Sequence, residues 1–167
     1  ESIHYFARGV GAARRGYINQ ANRELTRIRQ LYESLPENAP LYWRVEVDVQ
    51  ADIVASWILL KNGNVEQALS LALKAAENED AVNKHPVTPG EVIPARELYA
   101  DMLLEVNKYP EALKQYQAVL KSSPKRLNAL QGAAIAADKS GDKNLAVEYK
   151  TMVRKQTRSG SRELANL

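Results

Sequence analysis

The chain has 167 residues, of which 45% are apolar and 26% charged, and its formal net charge is +3. That length and composition suit a folded domain with a sizeable core and exclude a disordered chain. No apolar run approaches the roughly 18 residues of a membrane-spanning helix, and the absence of cysteine removes disulfides, thiolate nucleophiles and cysteine-bound metals.

The first helix pair is predicted from about Ile3 to Arg15 and from about Tyr17 to Leu35. In its second helix Ile18, Ala21, Leu25, Ile28, Leu31 and Leu35 recur at three and four, giving one apolar face opposite Asn22, Arg23 and Arg27. Pro36 and Pro40 then break the helix, because each removes a backbone donor and restrains the residue before it. From Leu41 to Leu60 two periods compete. Trp43, Val45, Val47 and Val49 alternate as in a strand, while Ile53, Val54, Trp57, Ile58 and Leu60 follow a helical period. A lone strand would leave its backbone groups unpaired and no turn signal interrupts the run, so one long helix is expected, followed by a second from Val65 to about Asn78.

Three prolines and a glycine between Lys84 and Pro94 make an extended loop. Pro94 suits the first turn of a helix to about Val106, and Asn107-Lys108-Tyr109-Pro110 turns it into one ending near Lys121. The last pair is expected from about Arg126 to Lys139 and from Asp142 to about Gln156, with residues 157–167 a flexible polar tail.

One frame runs through all four pairs. Asn107, Ala112, Tyr116 and Val119 are answered 34 residues later by Gly141, Ala146, Lys150 and Val153, and Gly63, Ala68, Ala72, Ala75 and Gly16, Ala21, Leu25, Ile28 keep the same offsets. Glycine or asparagine can take the positive φ that ends one helix and reverses the chain. The alanine five residues on must be small to let the paired helix approach, so Ala21, Ala68, Ala112 and Ala146 should be buried. The front helices repeat less well: Tyr99, Ala100, Leu103 and Leu130, Ala133, Ala134, Ala137 fit, whereas Asp52, Ala55, Ser56 and Leu59 fit poorly.

A 34-residue period with a turn residue and a following alanine resembles the tetratricopeptide (TPR) family. The resemblance implies an all-α, right-handed superhelical solenoid of about four antiparallel helix pairs: one repeat domain over 1–156, with units 2–35, 41–79, 93–124 and 126–156 and an insertion at 84–94. His85-Pro86-Val87-Thr88-Pro89-Gly90, Pro94-Ala95-Arg96-Glu97-Leu98-Tyr99, and Asn128-Ala129-Leu130 before Gly132-Ala133-Ala134 further resemble the C-terminal region of larger bacterial TPR proteins. That likeness implies a fragment preceded by other repeats, in a periplasmic or secreted setting, and carries over no catalytic residue.

In TPR proteins the first helix of each pair lines a groove. Mapped by the resemblance, the groove positions are Glu97, Asp101 and Glu105 in the third unit, Asn128, Gln131, Ile135, Asp138 and Lys139 in the fourth, and Gln50, Ile53, Trp57, Leu60 and Lys61 in the second. Glu97, Asp101 and Glu105 stack at four-residue spacing and would attract a basic partner, unless neighbouring cations pair with them. Trp57 is either an interface anchor or core. Acidic groups stand where a carboxylate clamp would need basic ones, so a partner with an acidic tail is disfavoured.

Residues 1–35 hold six basic and three acidic side chains, 36–119 seven and thirteen, and 120–167 ten and four. Such a polarised surface steers a charged partner or simply keeps the protein solvated. The residues assemble no catalytic motif and imply no cofactor and no enzyme. The leading expectation is a protein- or peptide-binding module using Glu97, Asp101, Glu105, Trp57, Asn128 and Gln131, with His85 and Glu91 at a loop lip. Two alternatives are a nucleic-acid binder, through Lys121, Lys125, Arg126, Arg154, Lys155 and Arg158, and a metal-dependent enzyme subunit, in which His85 joins Glu91 or Asp80 on a metal.

Overall fold

The computed structural model describes residues 1–82 and 92–164, with side chains to residue 157. Its helices are α1 (Ser2–Arg14), α2 (Ile18–Glu33), α3 (Leu41–Lys61), α4 (Val65–Ala81), α5 (Ala95–Glu105), α6 (Tyr109–Ser122), α7 (Leu127–Ser140) and α8 (Lys143–Leu164). No strand occurs among the described residues, and α3 passes unbroken through Trp43 to Val49.

Among the described residues the positive-φ positions are the four predicted hinges: Gly16 (80°), Gly63 (85°), Asn107 (63°) and Gly141 (93°). After each hinge the next backbone N–H donates to a carbonyl five residues back: Tyr17 to Ala12 (2.9 Å), Asn64 to Leu59 (3.0 Å), Lys108 to Leu103 (2.9 Å) and Asp142 to Ala137 (3.0 Å). This closure satisfies a carbonyl that the helix end would otherwise leave open. The residue after the hinge then starts the following helix. Its carbonyl accepts from the frame alanine: Ala21 to Tyr17 (3.0 Å), Ala68 to Asn64 (3.0 Å), Ala112 to Lys108 (2.9 Å) and Ala146 to Asp142 (3.0 Å). The five-residue spacing follows from this geometry, because the alanine carries the first amide able to close an i to i−4 bond. All four alanines are buried, at 0%, 0%, 0% and 1% exposure.

The chain divides into two compact units, Glu1–Tyr99 and Ala100–Leu167. In the first unit α1 packs on α2 and α3, α2 on α3, and α3 on α4. Gly9 sets the α1–α3 approach, since a Cβ there would lie 3.0 Å from both Val54 γ-carbons. The core holds Ala13, Ile28, Ile53, Val54, Trp57, Ala72 and Ala75. The start of α5 is tied to the end of α4 by two contacts: Glu79 Oε2 accepts from the Ala95 amide at 2.8 Å, and Arg96 pairs with Asp80 at 2.6 Å.

In the second unit α6 packs on α7 and α7 on α8. Tyr116 of α6 is fully buried, with its ring over Gly132 of α7 and its hydroxyl donating to Asp101 of α5 at 2.6 Å. The final helix runs to Leu164, eight residues beyond its expected end at Gln156. No proline interrupts this stretch, and the Thr157 hydroxyl donates within the helix to the Val153 and Arg154 carbonyls.

Candidate protein-interaction surface

The acidic series on α5 is the first candidate to be sorted by packing. Ala95, Glu97, Leu98, Tyr99, Ala100, Met102 and Leu103 are all buried, so this eleven-residue helix is covered around most of its circumference. Glu97 is 2% exposed, whereas the four-residue spacing suggested an open stripe. Asp101 is half-buried and accepts the Tyr116 hydroxyl, and Glu105, at the end of the helix, is exposed. Trp57 lies wholly in the core of the first unit, with the Arg14 guanidinium 4.8 Å from its ring centroid.

The exposed series is carried by α7. Ala129, Leu130, Gly132, Ala133, Ala134, Ala136 and Ala137 face inward, which leaves Asn128, Gln131 and Ile135 on the open face, one turn apart in succession. Ile135 keeps 51% of its surface in water. One turn further on, Asp138 pairs with Lys143 at 3.1 Å and with Lys150 at 3.7 Å. The hydrogen bond from Lys143, together with its charge and that of Lys150, holds the Asp138 carboxyl below the usual carboxylate range. Tyr116 spans from Gly132 to Asp101, so it fixes α5 and α7 within one tyrosine side chain of each other.

His85 and Glu91 lie outside the described residues. Asp80, the other acid considered as a metal partner, is engaged by both Nε and Nη2 of Arg96, at 2.7 and 2.6 Å. Of the basic cluster, Lys121, Lys125, Arg154 and Lys155 are exposed and Arg126 half-buried, while the Arg158 side chain is not among those described. Among the described residues no helix is long and apolar enough to cross a membrane.

No protein-family model and no curated protein matches the sequence. Among solved structures the chain is similar to MamA AMB-1 in two crystal forms. One aligns at a TM-score of 0.55 with 14% identity over 94% of this chain and 79% of that one. The other aligns at 0.54 with 16% identity over 99% and 97%. The fold is TPR-like. The all-α, helix-pair architecture expected from the hinge frame is thus shared with MamA, and at this identity the likeness speaks for fold alone.

Two features of the structure had no counterpart in the sequence reading. One is the Tyr116–Gly132 contact, for which the only signal was a glycine inside an alanine-rich helix. The other is a cleft of about 450 Å³ in the first unit, lined by Ile3, Leu35, Trp43, Glu46, Val47 and Gln50 among others.

Proposed function

We propose that the chain is a protein-interaction module that binds peptide segments through the open face of α7, with Glu105 and Asp101 of α5 beside it. The observation that carries this reading is the composition of α7: a helix walled by alanine on its packed side presents Asn128, Gln131 and a half-exposed Ile135 outward. Two polar groups able to donate and accept, set around an accessible aliphatic side chain, suit a peptide backbone and one apolar residue. The carboxylates of Asp101 and Glu105 favour a partner of basic character. The TPR-like fold supports the reading, because stacked helix pairs provide extended binding surfaces.

Panning a random-peptide display library on the 167-residue protein and on a Glu105→Lys, Gln131→Lys, Ile135→Asp variant tests this. Peptides enriched on the wild type should bind the variant at least about tenfold more weakly, a difference of about 1.4 kcal/mol, with helix content unchanged by circular dichroism. No enrichment, or equal binding to both proteins, would overturn the proposal.

A further inference from the structure

The second unit also carries a groove between its two outer helices. Helices α6 and α8 both pack on α7, and between them lies a space of about 520 Å³ walled by Ala118, Leu120, Leu130, Tyr149 and Met152. Two contacts bridge α8 to the α6 side: Gln117 Nε2 donates to the Tyr149 hydroxyl at 3.4 Å, and Gln156 Nε2 donates to the Lys125 carbonyl at 2.6 Å. Leu130 is buried at the floor, whereas Met152 keeps 41% of its surface in water.

The α6 side of the groove is a single stripe. Lys114, Gln117, Ala118 and Lys121 stand at i, i+3, i+4 and i+7, the spacing of one helix face. Ala118, between the two cations, is small enough to let another helix come close. Lys114 and Lys121 are the charged side chains that line the groove among the described residues, and no acid lines it. Both lysines are exposed, and neither forms an ion pair or hydrogen bond among those residues. Lys143 and Lys150 of the same unit, by contrast, both pair with Asp138.

We propose that this groove takes an amphipathic helix of a partner protein that carries carboxylates seven residues apart, with apolar side chains three and four residues after the first. Two helical turns set Lys114 and Lys121 about 10 Å apart along the axis. A helix laid along α6 has the same rise per residue, so its two carboxylates reach both lysines together while its apolar pair faces Leu120, Tyr149 and Met152. Charge complementarity selects the acids, and the seven-residue stripe selects a helix. The expectation against acidic partners concerned the front helices, where Asp101 and Glu105 stand; α6 and α8 are the second helices of their pairs. The inference goes beyond the peptide surface of α7, from which it differs in face, in charge and in the form of the ligand.

The chain's two methionines make the test specific, because Met152 lines the groove and Met102 is fully buried in α5. Protein carrying ¹³C in its methionine methyls is titrated with a stapled helical peptide bearing Glu at i and i+7 and Leu at i+3 and i+4, the staple on the opposite face. The Met152 signal should shift saturably with Met102 unmoved. The peptide should bind at least about fivefold more tightly than its glutamine analogue at low ionic strength, and the difference should fade with salt. Lys114→Glu with Lys121→Glu, two exposed positions, should keep the fold by circular dichroism and reverse the preference, so that the peptide with lysines in place of both glutamates binds this variant best.

Equal binding of the glutamate and glutamine peptides, an unmoved Met152, or no recovery by the charge swap would overturn the proposal. Equally tight binding of an unstapled, proline-interrupted analogue would also overturn it, as would a Met152 shift produced by anionic vesicles, by oligonucleotides or by raising protein concentration alone while the helical peptide is inert. The Glu105→Lys, Gln131→Lys, Ile135→Asp variant should bind the stapled helix unchanged, so failure of the α7 surface and failure of this groove are read separately.

Discussion

Gly132→Ala is the substitution whose outcome the packing determines most sharply. An alanine Cβ at this position would lie 2.5 and 2.7 Å from Tyr116 Cε1 and Cε2, and closer still to Cζ. Tyr116 is fully buried, and its hydroxyl is committed to Asp101 at 2.6 Å, so the ring cannot swing away without losing that bond. Overpacking costs about 1–3 kcal/mol, a lost hydrogen bond to a charged acceptor about 1.5–3 kcal/mol, and the better helix propensity of alanine returns about 1 kcal/mol. The net expectation is a destabilisation of about 1.5–5 kcal/mol, measured by urea denaturation followed by circular dichroism. Gly11→Ala on α1 is the internal control. Gly11 is exposed and nothing lies within 4 Å of a Cβ built there, so the same change should stabilise by about 0.5–1 kcal/mol. A neutral or stabilising effect at Gly132, matching that at Gly11, would refute the placement of Tyr116 over α7.

Three further outcomes follow from the structure. Gly16→Ala, Gly63→Ala and Gly141→Ala meet no atom within 4 Å, so each should cost about 1–2 kcal/mol through its left-handed backbone alone, while Asn107→Gly should be neutral or stabilising; thermal melts of the four variants separate backbone strain from packing. Glu79→Ala removes the acceptor of the Ala95 amide and should destabilise by about 1–3 kcal/mol, read by chemical denaturation. The pH dependence has two opposite signs. Burial and the neighbouring Asp48 push the Asp52 carboxyl up, so its ionised form costs stability above the usual carboxylate range, and Asp52→Asn should raise the melting temperature at neutral pH but not in acid. The Asp138 carboxyl is held low, so its contribution is present at neutral pH and lost as pH falls through its folded value; Asp138→Asn should lower the melting temperature only above that range.

The hinges and alanines were legible in the sequence because their causes are local. A positive φ restricts the residue to Gly or Asn, and a helix's first i to i−4 bond sets the distance to the alanine. The single helix over Leu41–Lys61 was legible for a similar reason, since a strand there would have had unpaired backbone. Burial of individual side chains was not. Glu97, Asp101 and Glu105 share one spacing yet differ from buried to exposed, because burial depends on what packs against the helix, which spacing within one helix does not encode. The frame drew attention to Trp57, which fills the core, while the half-exposed tryptophan is Trp43, on turns of α3 that lie outside the frame. The anchoring of α5 by Glu79 and Asp80 joins residues sixteen apart, a pairing that no periodicity announces.

The most direct test of the interaction-module account is an amide chemical-shift map of the labelled 167-residue protein titrated with a peptide enriched by display. The account predicts saturable shifts centred on Asn128, Gln131, Ile135 and Glu105, with the hinge residues Gly16 and Gly63 unmoved. Shifts scattered over the surface, or confined to the basic residues Lys121, Lys125, Arg154 and Lys155, would contradict it.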